Sequence, residues 1–435
     1  MIQTHCGGPK TTSRRRHGRV PAVVVTPGSA RHLRVLLTEG TSLSSRESVW
    51  ALGLAGHEIE VCDPDPLCLD RFSRYVKRVH RSPRFGSDPD AYLDFVLGVL
   101  QRGGHDVLLP VHEQVLLFAK VRDAIPPRVG LAVSSYTAVS TLLSKVSFAR
   151  LLAELGLPAP PTRMVRSRAE LEVPRPYPYY VKTAIGTATS GVWRIETPGD
   201  LSAVLTALSA RGLPDGETEL LVQEAAPGTL EAAQAVLDRG RLVAFHTYRS
   251  VSQGARGGLT VREGVRRPQV RAHVEALGVS LAWHGSLNID YLLSPEGQPA
   301  YIDANPRLVE PMNAFFSGVN LPDLLVRLSI GEHLELVETR SGVRTRQTVL
   351  GLLAAAATGR AAVLREVGRA IAGSGMYRGA HEGLTPVCHD PLSAVPVLVL
   401  FARLLANPGS AAQISDEAVQ RYAISPDAVT RIARM

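Results

Sequence analysis

Polar and apolar positions along the first third of the chain change repeatedly between short apolar runs and amphipathic stretches. Residues 34–39 (RVLLTE) read as a strand, followed by the loop GTSLSS and a helix written RESVWALGLAG. Residues 57–63 predict a second strand. An amphipathic helix over 91–102 precedes a third strand at 106–111. Strands that alternate with helices need crossover connections, so the pattern predicts a parallel sheet covered by helices.

That order makes residues 34–140 a small Rossmann-like unit. Over 141–332 the pattern turns to mixed α+β, with hairpin signals such as Asp238-Arg239-Gly240 between apolar runs. From 333 to 435 the chain is rich in Ala, Leu and Arg. Helical periodicity covers 347–357 and 361–372, and Pro386, Pro391 and Pro396 punctuate the stretch after it, predicting a mainly helical extension.

Composition narrows the class. With 435 residues, 45% hydrophobic and 20% charged, the chain has the makings of a soluble globular protein of two or three domains. The net charge of +8 is concentrated at the start: Lys10, Arg14, Arg15, Arg16, Arg19 and Arg31 fall within 1–33 with no acid, leaving about +2 for the rest. Residues 1–33 therefore read as a basic, disordered tail, and the nearly neutral body gives a nucleic-acid partner no support. Cys6, Cys62, Cys68 and Cys388 form neither a C-x-x-C pair nor a disulfide framework, which fits a reduced, cytoplasmic setting. The most apolar stretch, 397–406, is shorter than the ~20 residues of a membrane span and contains Arg403, so no membrane role is expected.

Candidate chemistry sits in the middle third. Residues 287–293 (LNIDYLL), the turn SPEG and residues 300–307 (YIDANPR) predict a hairpin. With a four-residue turn, Leu293 pairs with Gln298 and Asp290 faces Tyr301, so Asp303 becomes a diagonal neighbour of Asp290, about 7–8 Å away. Alternation places Asn305 on the face of Asp303. Three hard oxygen donors on one face suit Mg²⁺, which completes its shell with waters and phosphates. A solvent-facing hairpin edge is the competing account.

In YYVKTAIGTATSGVW, a strand carrying Lys182 runs into a hydroxyl-rich loop that includes Gly186, Thr187, Ser190 and Gly191. Such a loop can bring backbone N–H groups close to phosphates, or it is a plain hairpin loop. Lys145 opens a helix whose apolar positions are Phe148, Leu151, Leu152 and Leu155. The apolar strand LLVQE ends at Gln223 and Glu224, followed by Ala226 and Glu231. Backbone there could meet adenine and Glu231 a ribose, although surface carboxylates explain both acids equally well. Arg249 and Arg256 belong to a Gly-rich segment able to clamp an anion; Arg249, at the end of an apolar strand, is the better candidate and Arg256 fits a mobile surface loop.

Taken in order, Lys145, Lys182 with its 186–191 loop, Gln223-Glu224, Asp290 and the run Asp303-Ala304-Asn305-Pro306-Arg307 resemble the ATP-grasp superfamily over most of 34–332. The resemblance implies an α/β and α+β architecture: a Rossmann-like domain at 34–140, an ATP-grasp domain of two α+β subdomains at 141–332, and the helical extension at 333–435. It also implies ATP and two Mg²⁺ ions as cofactors, with Mn²⁺ able to substitute. Lys145 and Lys182 would contact phosphates, the 186–191 loop would form a lid, Glu224 and the main chain at Ala226 would meet adenine, and Glu231 the ribose. Asp290, Asp303 and Asn305 would hold the metals, and Arg307 would steady the γ-phosphate. Asp303 stands where the family more often has glutamate, and Thr183 where proline is frequent.

The activity so implied is ligation of a small carboxylate to an amine through an acyl phosphate. The alternatives are a catalytically silent ATP-binding sensor or scaffold, and an ATP-dependent carboxylase or phosphotransferase. Neither nucleic acid nor membrane is expected as a partner, and a homodimer is left open. No G-x-x-x-x-G-K-[ST] occurs, the loop after the first strand lacks G-x-G-x-x-G, and neither H-E-x-x-H nor G-x-S-x-G is present.

Overall fold

A computed structural model describes residues 31–187, 190–254 and 258–435. The basic tail up to residue 30, Ala188, Thr189 and the segment holding Arg256 lie outside the described residues.

The first unit contains β1 (Arg34–Leu37), β2 (Glu58–Asp63), β3 (Val76–Arg81) and β4 (Val107–Leu109), all parallel, in the order β3-β2-β1-β4. β3 escaped the sequence reading because VKRVHR is an edge strand: it is polar and partly exposed, as sheet edges commonly are. The first helix begins at Leu43, earlier than its apolar pattern suggests, because Ser42 caps it by accepting from the Ser45 N–H.

The second sheet comprises β5 (Thr162–Val165), β6 (Tyr179–Thr183), β7 (Val192–Ile195) and β8 (Leu220–Glu224), antiparallel in the order β5-β8-β6-β7. Its own core joins Leu171, Tyr179, Val181, Ile195, Leu208 and Val222.

The large sheet holds β9 (Thr229–Asp238), β10 (Arg241–Gln253), β11 (Leu259–Val265), β12 (Gly285–Leu293), β13 (Pro299–Asn305), β14 (Val337–Glu338), β15 (Arg344–Arg346) and β16 (Ala380–Glu382). Its path is β13-β12-β9-β10-β11-β15-β16, with β14 beside β10. Arg239 and Gly240, both at positive φ (47° and 91°), make the two-residue turn between β9 and β10 that the sequence marked.

The region after 333 is mainly helical, yet β14, β15 and β16 stitch it into the large sheet. Its last helix, Pro426–Arg434, returns to the first unit: Ile424, Ala428 and Ile432 share a core with Val96, Val115 and Leu116. That same core runs on to Ala233, Leu287 and Ile289 on the large sheet. The helix Leu321–Ser329 and strands β1, β2 and β4 form a second core with Val236 and Val243. The first and last parts of the chain are therefore both packed against the large sheet. Among the described residues, no helix is long and apolar enough to cross a membrane.

Candidate functional site

The β12–β13 hairpin forms, but with a different register from the one its turn residues suggest. Leu293 pairs with Pro299, not Gln298, and a bulge at Ile302 places Asp290 directly opposite Asp303 rather than opposite Tyr301. Asn288 pairs with Asn305, so two acids and two amides share one face. Asn288 Nδ2 donates to Asp290 Oδ1 at 3.1 Å and Asn305 Nδ2 to Asp290 Oδ2 at 3.4 Å. Burial, and then the charge of Asp303, raise the Asp290 carboxyl to about 7. Asn288 was not singled out in the sequence, although its place two residues before Asp290 is the signal that would have found it.

Two lysines face these acids. Ser144 caps the helix Lys145–Glu154 through the Ser147 N–H, which fixes Lys145 in its first turn. The Lys145 ammonium is buried and lies 3.0 Å from Asp303 Oδ2. Lys182, on β6, reaches across to the large sheet: its ammonium donates to Gln223 Oε1 at 2.7 Å and to the Ile302 carbonyl at 3.3 Å. Gln223 in turn donates to Thr162 Oγ1 at 3.0 Å, so its amide is occupied in positioning the lysine. Burial lowers the Lys182 ammonium to about 8, with Lys145 adding to the fall and Asp303 opposing it.

The described ends of the 186–191 loop, at Gly186, Thr187, Ser190 and Gly191, are closely packed. Gly191 sits at φ +79°, and its carbonyl accepts from the Thr183 N–H at 2.8 Å. A Cβ on Gly186 would lie 1.9 Å from the Ser190 carbonyl oxygen, so no other residue fits there without rebuilding the loop. Thr187 Oγ1 is buried with no partner among the described residues, while the Ser190 N–H donates to the Thr187 carbonyl.

Glu224 ends β8 with an exposed side chain, and the 225–228 segment links this sheet to β9. Ala226 is half-buried in that link.

Two candidates fall elsewhere. Glu231 pairs with Tyr291, which points away from Asp290, and it is only 1% exposed. Both its oxygens are occupied, by Arg267 at 2.6 and 2.8 Å and by the Tyr291 hydroxyl at 2.8 Å, so it does not face the acids as a free ribose acceptor. Arg249 stands opposite Glu231 in register, well before the end of β10. It is half-exposed and pairs with Glu263 at 3.4 Å, on the reverse of the sheet from Asp290 and Asp303. Strand alternation separates both from the acids, and sequence alone left their facing undecided.

Arg307 is buried, with its guanidinium 3.6 Å from Glu113. This contact ties the β13 face to the first sheet at an informative place. Because β1 lies between β2 and β4, strand order reverses between β1 and β4, and open parallel sheets bind ligands in the crevice at such a reversal. Glu39 and Glu113 follow the two strands there. Burial acts to raise the Glu113 carboxyl, but His112 and Arg307 hold it down at about 2. On the large sheet, Arg262 pairs with Glu310, and Gln347 donates to Glu310 and Glu47 at 2.7 Å each. These partners lie up to 300 residues apart, and no local pattern announces them.

The donor set suits a hard divalent cation. Four oxygen-bearing side chains meet on one face, the two carboxylates oppose each other with Lys145 close by, and Asn288 Oδ1 is buried with no partner among the described residues.

No protein-family model matches the chain, and no curated protein matches its sequence. Solved structures do. An L-amino acid ligase from Bacillus licheniformis superposes with a TM-score of 0.54 at 17% identity, covering 70% of this chain and 76% of that one. The ADP complex of N5-carboxyaminoimidazole ribonucleotide synthetase gives 0.57 at 15% identity, covering 86% and 98%. The β,γ-ATP complex of a biotin carboxylase from Campylobacter jejuni gives 0.54 at 16% identity, covering 70% and 72%.

Proposed function

The chain has the ATP-grasp fold, and on that premise we propose that it is an ATP- and Mg²⁺-dependent ligase that activates a carboxylate as an acyl phosphate for attack by an amine. One observation carries the reading: the opposed pair Asp290 and Asp303 faces two buried lysines, beside an arginine that reaches the crevice of the first sheet. Asp290, Asp303 and Asn305, with Asn288 beside them, would hold the metal, which when bound supplies positive charge to the phosphates.

This chain's residues do the rest. Lys145 and Lys182 neutralise phosphate oxygens, the first positioned by the Ser144 cap and the second by Gln223. Glu224 and the backbone at Ala226 receive the adenine at the link between the sheets. The 186–191 loop covers the phosphates and keeps water from an acyl phosphate, which would otherwise hydrolyse. Arg307 steadies the γ-phosphate and, from its place beside Glu113, the carboxylate in line with it. The amine attacks the acyl carbon from the crevice between β1 and β4, expelling phosphate and leaving an amide.

The test is ADP release screened over carboxylates paired with amines. A productive pair should need both partners, and Asp303→Asn should abolish turnover; turnover unchanged by that substitution would sink the assignment. Bicarbonate-dependent release with no amine would assign carboxylation instead, and nucleotide binding with no turnover on any pair would assign a silent binding protein.

A further inference from the structure

A second cluster lies in the first unit, apart from the cleft. Glu60 on β2, His80 on β3 and His105 in the connection before β4 bring one carboxylate oxygen and two ring nitrogens within 4.8 Å of one another. His80 Nε2 is 2.5 Å and His105 Nε2 3.2 Å from the same oxygen, Glu60 Oε2. The other oxygen, Oε1, accepts from Arg34 Nη2 at 3.0 Å. The carboxylate is thus divided: one oxygen is held by an arginine and the other is turned to two imidazoles.

The backbone is shaped to hold His105 there. Gly104, at φ +64°, ends the helix Pro89–Gly103, and a Cβ on Gly103 would lie 2.2 Å from His105 Cε1. The ring therefore folds back over a glycine that no larger residue could replace without moving it. His105 is fully buried. Among the described residues His105 Nδ1 has no hydrogen-bond partner, and the ring's hydrogen bond is made through Nε2. Beside the cluster opens a cavity of about 260 Å³ whose lining includes Glu60, His80, Arg78 and Arg102.

We propose that Glu60, His80 and His105 form a Zn²⁺ site, with the fourth coordination position open to the arginine-lined cavity and taken there by water or a small anion. Two imidazoles and one carboxylate are a protein donor set that zinc accepts while retaining an open position. The guanidinium groups of Arg78 and Arg102 favour an anion as the fourth ligand. On binding, each imidazole presents its Nε2 lone pair and keeps its proton on Nδ1. The ion would pin the edge strand β3 to β2 and to the approach to β4.

The experiment uses the untagged full chain, freed of metal by chelator and titrated with Zn²⁺ against a chromogenic competitor at neutral pH. An Asp290→Asn background removes the acidic hairpin as a competing site. One equivalent should bind. His80→Ala, at the least buried ligand, should weaken binding by more than the roughly 10–100-fold that loss of an outer partner costs.

Co²⁺ serves as an independent probe of the unsubstituted site. It should give the intense visible bands of four- or five-coordination, without a thiolate charge-transfer band. Zn²⁺ affinity equal in the parent and His80→Ala, a cobalt spectrum of six-coordinate or thiolate type, or no bound equivalent would each overturn the site and leave a hydrogen-bonded triad.

Discussion

At the scale of single residues, the site is set by burial acting on charge. Burial lowers the Lys182 ammonium to about 8 and raises the Asp290 carboxyl to about 7. A triphosphate binds the protonated lysine, so affinity should fall as pH rises above about 8; a divalent ion binds the deprotonated Asp290, so it should also fall below about 7. Titrating a Mg²⁺–ATP analogue by calorimetry across the neutral range should give a bell. In Lys182→Arg the alkaline limb should disappear, because guanidinium stays charged.

Glu231 makes the opposite point. It was legible as a carboxylate in the right stretch of sequence, but its facing depends on strand register. Glu231→Gln should cost about 3 kcal/mol of stability, because Arg267 loses a buried partner. Chemical denaturation reads this, while nucleotide affinity of the folded variant should not change. Weakened nucleotide binding at full stability would return Glu231 to the ribose.

At the scale of elements, a residue's place within its own element was more legible than the register between elements. Lys145 at a helix start, Lys182 on a strand before a glycine loop, and acids on a hairpin could be read because each depends on local periodicity. The bulge at Ile302 could not, since SPEG is compatible with more than one register and only packing on β9 selects between them. β3 lacked an apolar signature because an edge strand does not need one. The glycine loop carries its own prediction: with only 1.9 Å between a Cβ on Gly186 and the Ser190 carbonyl, Gly186→Ala should lower kcat/KM by on the order of 100-fold through misplacement of the proposed lid. Thermal unfolding should move little by comparison, since Gly186 lies outside the large cores.

At the scale of the whole molecule, the alternation of strands and helices disclosed the first unit, and the mixed pattern disclosed the middle. What it could not disclose was closure. Ile432 is fully buried in the core that contains Val96 and Val115, and a periodic helix near residue 430 says nothing about where it docks. Ile432→Ala should destabilise the protein by about 2–4 kcal/mol, measured by denaturant unfolding, with loss concentrated in the first unit by hydrogen exchange.

That docking sets an order of events during synthesis. The parallel strands emerge from the ribosome early, but the side chains that seal their helices are made more than 300 residues later than β1. Until then the nascent first unit presents an apolar gap, and its completion must wait for the large sheet and the segment beyond it. A pulse-chase protease assay should therefore find residues 34–140 cleavable for most of translation and protected only once the final helix has been made.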